Sequence, residues 1–509
     1  MKNKRGISLI VLIITIIVVI ILAAIIIITI TKNNPVSSAK EATFKQDVRS
    51  FQEELNMYIG KQNVIDTQGT REKVTTVDMP SVEVMNEYIK SFSSKYENKL
   101  GIYKDELVYY KPDNDVKNKV TDQEEKWLQD LGINKKVVET TEESFEWGSD
   151  DPNNSEYYTL KKFIGKETDV IIPKRCHKIG NDAFKNSKVT SVKMQDGIKY
   201  IGDSAFRFCY HLSEIKLPNT LIGIENMAFD GCGSIEYLEL PDSLEYFGDF
   251  SFDGCYKLKS IKIPDRVKTI PSCAFASCDS LEEVVLPSYL NNIFNEAFKY
   301  CRSLKNIKFP DSLFYISDLA FSESAIETVN ITKNLNNLGN GVFSKCNNLK
   351  SITVDQNNSQ YTSIDGVLYN KSKTTIVQYP GGKDAESYTI NNSVTDIADS
   401  AFYGANKLKT IILGNNVKTI GEYSFLYCSN LTSINIPESV KKINTTCFGF
   451  DTSLEHIYLP ATIEKMESTV FYACNNLVVD CEYNESDIPS TWSKDWHRSV
   501  KSVNYGVKK

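Results

Sequence analysis

Histidine is scarce in this chain, and the few histidines are too far apart to share a metal ion. The 509 residues contain only His177, His211, His456 and His497, and no two of them have the spacing of metal ligands. The chain also lacks a glycine-rich phosphate loop, a Gly-x-Ser-x-Gly nucleophile elbow and a His-Glu-x-x-His motif. These absences predict a protein that is not an enzyme and that needs no cofactor and no metal.

An excess of positive charge is lacking as well. Lysine and arginine number 58 against 65 aspartates and glutamates, which gives a formal net charge of −7. This balance argues against a nucleic-acid partner, whose phosphates require a basic surface. The negative charge is concentrated, because residues 121–160 hold eleven acidic side chains and three lysines. We interpret residues 146–157 within this stretch as an acidic, solvated linker.

What the chain has in abundance is a periodic phenylalanine. The ring recurs every 22 or 23 residues, with one interruption after Phe343. A fixed period in the range of 20–50 residues is typical of solenoids. The series consists of Phe184, Phe206, Phe229, Phe252, Phe275, Phe298, Phe321, Phe343, Phe402, Phe425, Phe448 and Phe471.

Other apolar residues keep fixed offsets from each phenylalanine. Counted from Phe252, Ile261 stands at +9 and Ile263 at +11, which is the alternation of a strand, and Pro264 at +12 ends that strand. One coil cannot shield all its apolar positions, so the coils must stack and pair their strands in parallel, about 4.8 Å apart. We therefore predict a mostly β or α/β solenoid of coils about 23 residues long over residues 158–477. Its predicted core contains Phe206, Phe229, Phe252, Phe275, Phe298, Phe425, Cys209, Cys232, Cys255, Cys278 and Cys301.

The repeat also resembles a named family. The phrase Ile201-Gly202-Asp203-Ser204-Ala205-Phe206, continued by Cys209, Leu212, Ile215, Leu217 and Pro218, is similar to the BspA-type leucine-rich repeat of bacterial surface proteins. The resemblance implies a leucine-rich repeat fold, a place on the cell surface and a role in adhesion or ligand binding without enzymatic activity.

The twelve cysteines follow the same period. Eight of them occupy the +3 position, where Ser187, Ser324, Ala405 and Asp451 stand in the remaining coils. Mostly small, apolar residues at one position favour a buried ladder of free thiols. Scattered disulfides between stacked neighbours and a metal site remain the alternatives.

The N-terminus predicts a membrane anchor. Lys2, Lys4 and Arg5 precede Ile7–Ile30, which contains no charged residue. As a helix this run would be about 36 Å long, enough to span a bilayer once. The basic flank would stay inside the cell and the rest of the chain would be extracellular. We assign residues 1–31 to this anchor; a cleaved secretory signal is the alternative, although its apolar region is usually shorter.

A second resemblance concerns the same segment. Lys4-Arg5-Gly6-Ile7-Ser8-Leu9-Ile10-Val11-Leu12 is similar to the signal of type IV pilins and pseudopilins. The resemblance implies cleavage by prepilin peptidase between Gly6 and Ile7 and assembly into a pilus-like fibre. Val11 departs from the pattern, because pilins have glutamate at the fifth mature residue. A pseudopilin-like structural subunit is therefore the alternative function, and an extracellular hydrolase is a third.

The rest of the chain divides by pattern. Residues 32–60 predict an amphipathic helical stem, and residues 61–145 predict a small α/β module. Residues 355–390 form a distorted coil, in which Leu368 takes the phenylalanine position. Residues 478–509, with Trp492 and Trp496, are expected to cap the last open strand.

Offsets +8 and +10 flank the buried strand residue and should point outward. An outward row of this kind suits an extracellular protein or a glycan as ligand. The predicted ligand face consists of Tyr237, Glu239, Lys262, Lys308, Ile412, Asn435, His456 and Tyr458.

Overall fold

The computed structural model describes residues 42–49, 100–103, 106–109, 134–135, 140–149 and 158–508. The chain divides into two compact units, Met1–Val138 and Glu139–Lys509. The predicted membrane segment Ile7–Ile30 and the predicted processing site at Gly6 and Ile7 lie outside the described residues. Among the residues that are described, no helix has the length and apolar character needed to cross a membrane.

In the first unit the described elements are short. Residues 42–49 are helical, and Phe44 and Val48 of the predicted stem stripe are buried. Strands β1 (Leu100–Tyr103) and β2 (Glu106–Tyr109) pair antiparallel, and β3 (Asn134–Lys135) adds to β2 in parallel.

The regular elements of the second unit are short strands joined by turns. A 3₁₀ turn at Glu142–Ser144 precedes them, and another at Glu485–Asp487 precedes the last. Before the interruption the strands are β4 (Phe145–Ser149), β5 (Tyr158–Phe163), β6 (Asp169–Ile171), β7 (Cys176–Ile179), β8 (Ser191–Lys193), β9 (Tyr200–Ile201), β10 (Glu214–Lys216), β11 (Gly223–Ile224), β12 (Tyr246–Phe247), β13 (Ser260–Lys262), β14 (Thr269–Ile270), β15 (Glu283–Val285), β16 (Asn292–Ile293), β17 (Tyr315–Ile316), β18 (Thr328–Ile331), β19 (Asn337–Leu338) and β20 (Ser351–Val354). From the interruption onward they are β21 (Tyr361–Ile364), β22 (Val367–Asn370), β23 (Thr375–Gln378), β24 (Ser387–Thr389), β25 (Asp396–Ile397), β26 (Thr410–Ile412), β27 (Thr419–Ile420), β28 (Ser433–Ile434), β29 (Lys442–Ile443), β30 (His456–Leu459), β31 (Lys465–Met466), β32 (Val478–Cys481) and β33 (Ser502–Tyr505).

Each regular coil contributes to three rows. Strands at offsets +8 to +10, such as β13 and β15, pair in parallel and form what we call the front sheet. Two-residue strands at +17 and +18, such as β14 and β16, form the side sheet. The turns around each phenylalanine form a third row, the arch. The pairing of successive coils in register confirms the predicted parallel-strand solenoid of about 23-residue coils.

The arch has its own ladder of hydrogen bonds. In the coil of Phe229, the backbone N–H groups of Met227, Phe229 and Gly231 donate to carbonyls of the next coil over 2.7–2.8 Å. This direction of the N–H groups requires a left-handed backbone at Met227 (φ 55°) and Gly231 (φ 72°). A non-glycine residue in that region costs about 1–2 kcal/mol, which the inter-coil hydrogen bonds and the stacked rings offset.

The phenylalanine rings stack along the arch. Neighbouring centroids lie between 4.8 Å (Phe184 to Phe206) and 5.8 Å (Phe321 to Phe343), and the rings are nearly parallel. Each such pair adds about 0.5–1.5 kcal/mol to the free energy gained by burying the rings. The stack begins one ring earlier than the predicted series, because Phe163 stacks on Phe184 at 5.0 Å.

The interruption is an antiparallel meander. Strand β22 pairs antiparallel with β21 and β23, and β23 then rejoins the side sheet beside β25. Both faces of β22 are buried: Leu368 packs into the core that precedes it, while Val367 and Tyr369 pack into the core that follows. Tyr379 stacks on Phe402 at 5.1 Å, so the prediction that Leu368 takes the phenylalanine position is wrong. Leu368 instead lies on one face of β22, the strand that separates the two cores.

The start of the solenoid also differs from the prediction. Residues 145–149, assigned to the end of the module and the acidic linker, form β4, which pairs antiparallel with β5. Residues 139–145 belong to the second compact unit rather than to the module. The Arg175 guanidinium lies 4.4 Å from the Trp147 ring and 4.7 Å from the Tyr158 ring, and these contacts hold the strand on the first coil. Residues 150–157 lie outside the described residues.

Two tryptophans cover the other end. The Trp496 ring contacts Phe471 edge-on at 6.2 Å, and the Trp492 indole N–H donates to the carbonyl of Ile463 over 3.2 Å. Strand β33 adds in parallel to β32 and extends the front sheet.

The cysteines are free thiols, and eleven of the twelve are buried. At the +3 position each Sγ donates to the carbonyl of the phenylalanine one coil earlier, as from Cys232 to Phe206 over 3.1 Å and from Cys474 to Phe448 over 2.8 Å. This contact explains why a weak donor of small volume suits the position.

Asp451 is the exception in the thiol ladder. It is fully buried, and neither carboxyl oxygen makes a hydrogen bond of good geometry. Burial raises the pKa of Asp451 well above its ordinary value of 3.8, although the backbone of Cys428 lowers it in part. The folded protein therefore favours the protonated carboxyl, whereas in the unfolded chain this group ionises near pH 4.

We expect Asp451→Cys to raise the free energy of unfolding by about 1–3 kcal/mol at pH 4.5, because it removes an unsatisfied buried acid. Since the folded pKa is raised, the destabilisation grows as the pH rises from about 4 toward that pKa, by about 1.4 kcal/mol per unit. The gain should therefore be smaller at pH 4.5 than at pH 7.5. Denaturant unfolding at both pH values measures it. Ala405→Cys, which adds a thiol at the same position without removing an acid, is the control and should show no such pH dependence.

Candidate functional site

Strand alternation sets the outward residues of the front sheet. In β13, Ile261 is buried between Ser260 and Lys262, and Lys262 is exposed. The parallel register aligns Lys262 with Val285 in the next coil. Offsets +8 and +10 thus form two outward rows along the solenoid.

Four predicted ligand residues lie before the interruption. Tyr237 is 64% exposed and forms an isolated parallel bridge with Ser260. Glu239, Lys262 and Lys308 are exposed at the +10 position of their coils. This part of the front sheet carries charges of both signs.

Ion pairs border these residues at the +7 position. Lys259 Nζ lies 2.8 Å from Glu236 Oε2 and 5.2 Å from the centroid of the Tyr237 ring. Hydrogen bonding to Lys259 holds the pKa of Glu236 below its ordinary value, and Glu236 raises the pKa of Lys259. A similar pair joins Lys409 and Glu386 at 2.7 Å. These exposed pairs align neighbouring coils and contribute little to stability.

The other four predicted residues lie after the interruption. Ile412 is 47% exposed. His456 is exposed and Tyr458 is half-buried in β30. Ile412, Asn435 and Tyr458 hold the same +10 position in three consecutive coils, so they form one short row.

The Asn435 side chain contributes to strand pairing within this row. Its side-chain amide accepts a hydrogen bond from the Leu413 N–H over 2.7 Å and donates to the Leu413 carbonyl over 3.3 Å. The amide thereby replaces the backbone of β28, which ends at Ile434. A substitution at Asn435 would disturb the strand pairing as well as any ligand contact.

The eight predicted residues do not form one continuous sheet. Strands β18 and β20 pair with each other, and β24, β26 and β28 form a separate sheet. The meander β21–β23 lies between them in the chain. The structure therefore places the predicted face in two groups, one in each half of the solenoid.

The described residues offer little for catalysis. No group of three or more His, Cys, Asp or Glu side chains in the described segments could hold a metal ion. His497 packs on the Trp496 ring at 4.7 Å, and His177 Nδ1 lies 3.3 Å from the carbonyl oxygen of Gly197. His456 lies elsewhere, on the front sheet.

The sequence-based prediction considered the front sheet and missed a feature of the side sheet. Phe294 and Phe314 are 36% and 48% exposed there. The signal was available in the sequence, because the +16 and +17 positions of two consecutive coils, and the two positions aligned with them in the next coil, carry no charged residue: Asn291, Asn292, Phe314, Tyr315, Asn336 and Asn337.

Comparisons with known proteins agree with this architecture. A cell-surface leucine-rich protein from Faecalibacterium prausnitzii has 23% identity and a TM-score of 0.55, and the match covers 74% of this chain and 96% of that one. A leucine-rich repeat protein from Bacteroides ovatus has 26% identity and a TM-score of 0.44 over 73% and 100% of the two chains. The pneumococcal vaccine antigen PcpA has 20% identity and a TM-score of 0.45 over 74% and 88%. No curated protein matches the chain.

The family model gives the assignment. The BspA type leucine rich repeat region matches residues 177–304, 268–382 and 381–488, which together exceed half of the chain. The first of the solved structures supports the same solenoid fold. The chain therefore belongs to the BspA-type leucine-rich repeat family.

Proposed function

We propose that this protein is a membrane-anchored, outward-facing bacterial surface protein that binds an extracellular protein or glycan through the front sheet and catalyses no reaction. The observation that carries the proposal is the run of uncharged outward residues in three consecutive coils, which contains Ile412 (47% exposed), Asn435 and Tyr458. The centres of interfaces are depleted of charged residues and more apolar than the rest of the surface.

The geometry supports binding by a preorganised surface. In β26 the residues around Ile412 are paired in register on both sides, with β24 and with β28. The backbone beneath these side chains loses little further freedom when a ligand binds, which lowers the cost of association. Repeated contacts along the row would then add to a useful affinity.

The group after the interruption suits a protein ligand better than the group before it. Ile412, Tyr458 and His456 offer an apolar, an amphipathic and a polar side chain, and no charged side chain stands at the +8 or +10 positions of their three coils. Interface centres are depleted of charge and enriched in aromatic residues. In the preceding half, Glu239, Lys262 and Lys308 favour long-range steering over tight contact.

The anchor rests on the sequence of the N-terminus. Ile7–Ile30 contains no charged residue, and as a helix its length of about 36 Å exceeds the bilayer core. The alternative, a pseudopilin-like subunit, is favoured by the Lys4-Arg5-Gly6-Ile7 sequence, which has the form of a prepilin peptidase site. Val11, in place of the glutamate of pilins, favours the anchored surface protein.

We expect Ile412→Lys to weaken binding of the full-length chain, in mild detergent, to an immobilised panel of fibronectin, collagen and mucin. The loss should be about fivefold or more, as for a central interface residue. Val285→Lys is the matched control, because Val285 is 45% exposed at the same +10 position in the preceding half. Surface plasmon resonance measures both variants. If Ile412→Lys binds as the unchanged chain does, the choice of face is incorrect.

Deletion of residues 7–30 should move the protein from the membrane fraction to the soluble fraction after carbonate extraction. The reason is that this run is the anchor in our proposal. Val11→Glu serves as control, since it restores the pilin pattern and one charge near the end of a long apolar segment leaves anchoring intact. Mass spectrometry of the mature N-terminus separates the alternatives: methylated Ile7 supports processing as a pseudopilin, and retained Met1 excludes it.

A further inference from the structure

The side sheet carries a group of residues that the front-sheet proposal does not use. Strands β14, β16, β17 and β19 form a four-stranded parallel sheet, in which Asn292 aligns with Tyr315 and Tyr315 with Asn337. One position earlier, the Phe314 N–H donates to the Asn291 carbonyl over 2.9 Å, and the Asn336 N–H donates to the Phe314 carbonyl over 3.1 Å. We call the following set the amide–aromatic patch: Asn291, Asn292, Phe294, Phe314, Tyr315, Asn336 and Asn337.

The aromatic rings of the patch are partly exposed to solvent, and two of them are held by neighbouring side chains. Phe314 is 48% exposed and Phe294 is 36% exposed. Phe294 and Tyr315 contact edge to face, with centroids 6.3 Å apart. The Tyr315 hydroxyl donates to Ser317 over 2.8 Å, which fixes its ring. The Phe294 and Tyr315 rings are therefore held in place, and the Phe314 ring is open to a ligand.

The patch differs from the rest of the side sheet in charge. The same two positions carry Lys268 one coil before Asn291, and Lys418, Lys441 and Lys442 in later coils. None of the seven patch residues is charged. Lys268 at its margin is turned away, because its Nζ donates to the Asp265 carbonyl over 3.0 Å and lies 4.8 Å from the Tyr289 ring. A charged ligand would gain no ion pair at the centre of this surface.

The amides of the patch are free to bind a ligand. The side chains of Asn291, Asn292 and Asn337 make no hydrogen bond to any other residue that the structure describes, and Asn336 accepts only a long one of 3.4 Å from Ser359. Elsewhere in the solenoid, asparagine side chains form hydrogen bonds to the backbone of the next coil. The Asn226 side chain, for example, accepts a hydrogen bond from the Asp249 N–H over 2.8 Å. Each free amide offers two donors and one acceptor.

We propose that the amide–aromatic patch binds a neutral glycan. The apolar C–H face of a sugar ring stacks on Phe314, and its hydroxyls exchange hydrogen bonds with the amides on either side. Two rung steps of about 4.8 Å separate Asn292 from Asn337, so the patch spans about 10 Å, comparable with a disaccharide. A few polar groups placed around an aromatic surface are typical of small-ligand sites.

The test uses the full-length chain in mild detergent and an array of immobilised neutral oligosaccharides of glucose, mannose, galactose and N-acetylglucosamine, with heparin as the anionic probe. We expect binding to at least one neutral glycan and a loss of about tenfold or more, equivalent to about 1.4 kcal/mol, in Phe314→Ser. Phe314→Tyr, which keeps the ring, should retain binding. Tyr472→Ser is the matched control, because Tyr472 is 40% exposed on the arch and lies outside the patch.

A second variant tests the patch without removing an aromatic ring, so that a folding defect in Phe314→Ser does not decide the result. Asn337→Asp changes an exposed side chain to a charged acceptor without donors, and it should lower neutral-glycan binding while the circular dichroism melt is unchanged. The proposal is overturned if no neutral glycan binds, if only heparin binds, or if Phe314→Ser and Asn337→Asp bind as the unchanged chain does. It is also overturned if sedimentation shows that the patch joins two copies of the chain. Ile412→Lys should leave the glycan binding that depends on Phe314 intact, so failure of the front-sheet proposal and failure of this one are distinguishable.

Discussion

The spacing between coils governs this structure. Hydrogen bonds between parallel strands place each side chain about 4.8 Å from the residue at the same offset in the next coil. Two rings at that distance must stack, as Phe206 and Phe229 do at 5.2 Å with an interplanar angle of 2°. A thiol at that distance can reach a carbonyl one coil back, as Cys209 reaches Phe184 over 3.0 Å. Each inward position is therefore best filled by a side chain that packs well against the same side chain in the coils above and below.

This self-compatibility explains what could be predicted. The phenylalanine and thiol positions and the parallel strands follow from periodicity alone, because only stacking can bury so regular a pattern. The left-handed residues on both sides of each phenylalanine could not be predicted, since most are not glycine; Met227 and Phe250 give no local signal. Strand β4 was not predicted, because its residues lie in an acidic stretch that the sequence analysis assigned to the module and the linker. At the interruption, Tyr379 and not Leu368 stacks on Phe402, because three antiparallel strands replace one coil and shift every offset.

The same meander divides the protein's surfaces. The core before it and the core after it meet at β22, whose alternate residues Leu368 and Tyr369 face opposite ways. The front sheet is not paired across this point, and the side sheet ends at β19 and begins again at β21. A ligand surface can therefore be continuous within one half but not across both. The two groups of front-sheet residues, and the patch around Phe314, are best regarded as separate local surfaces on a common core.

The stacking of coils also limits which positions can determine ligand specificity. Inward positions are fixed by their neighbours above and below, so a departure there, such as the buried acid Asp451, changes stability. Outward positions have no such constraint, and they carry a mixture of charged and short polar side chains. We therefore expect ligand contacts where exposed apolar or aromatic side chains stand among uncharged outward neighbours. Two places meet this condition: the row containing Ile412 and Tyr458, and the rungs in which Phe314 stands between pairs of asparagines with free amides. Because the coils hold the backbone rigid at both places, side-chain chemistry alone decides what each surface can recognise.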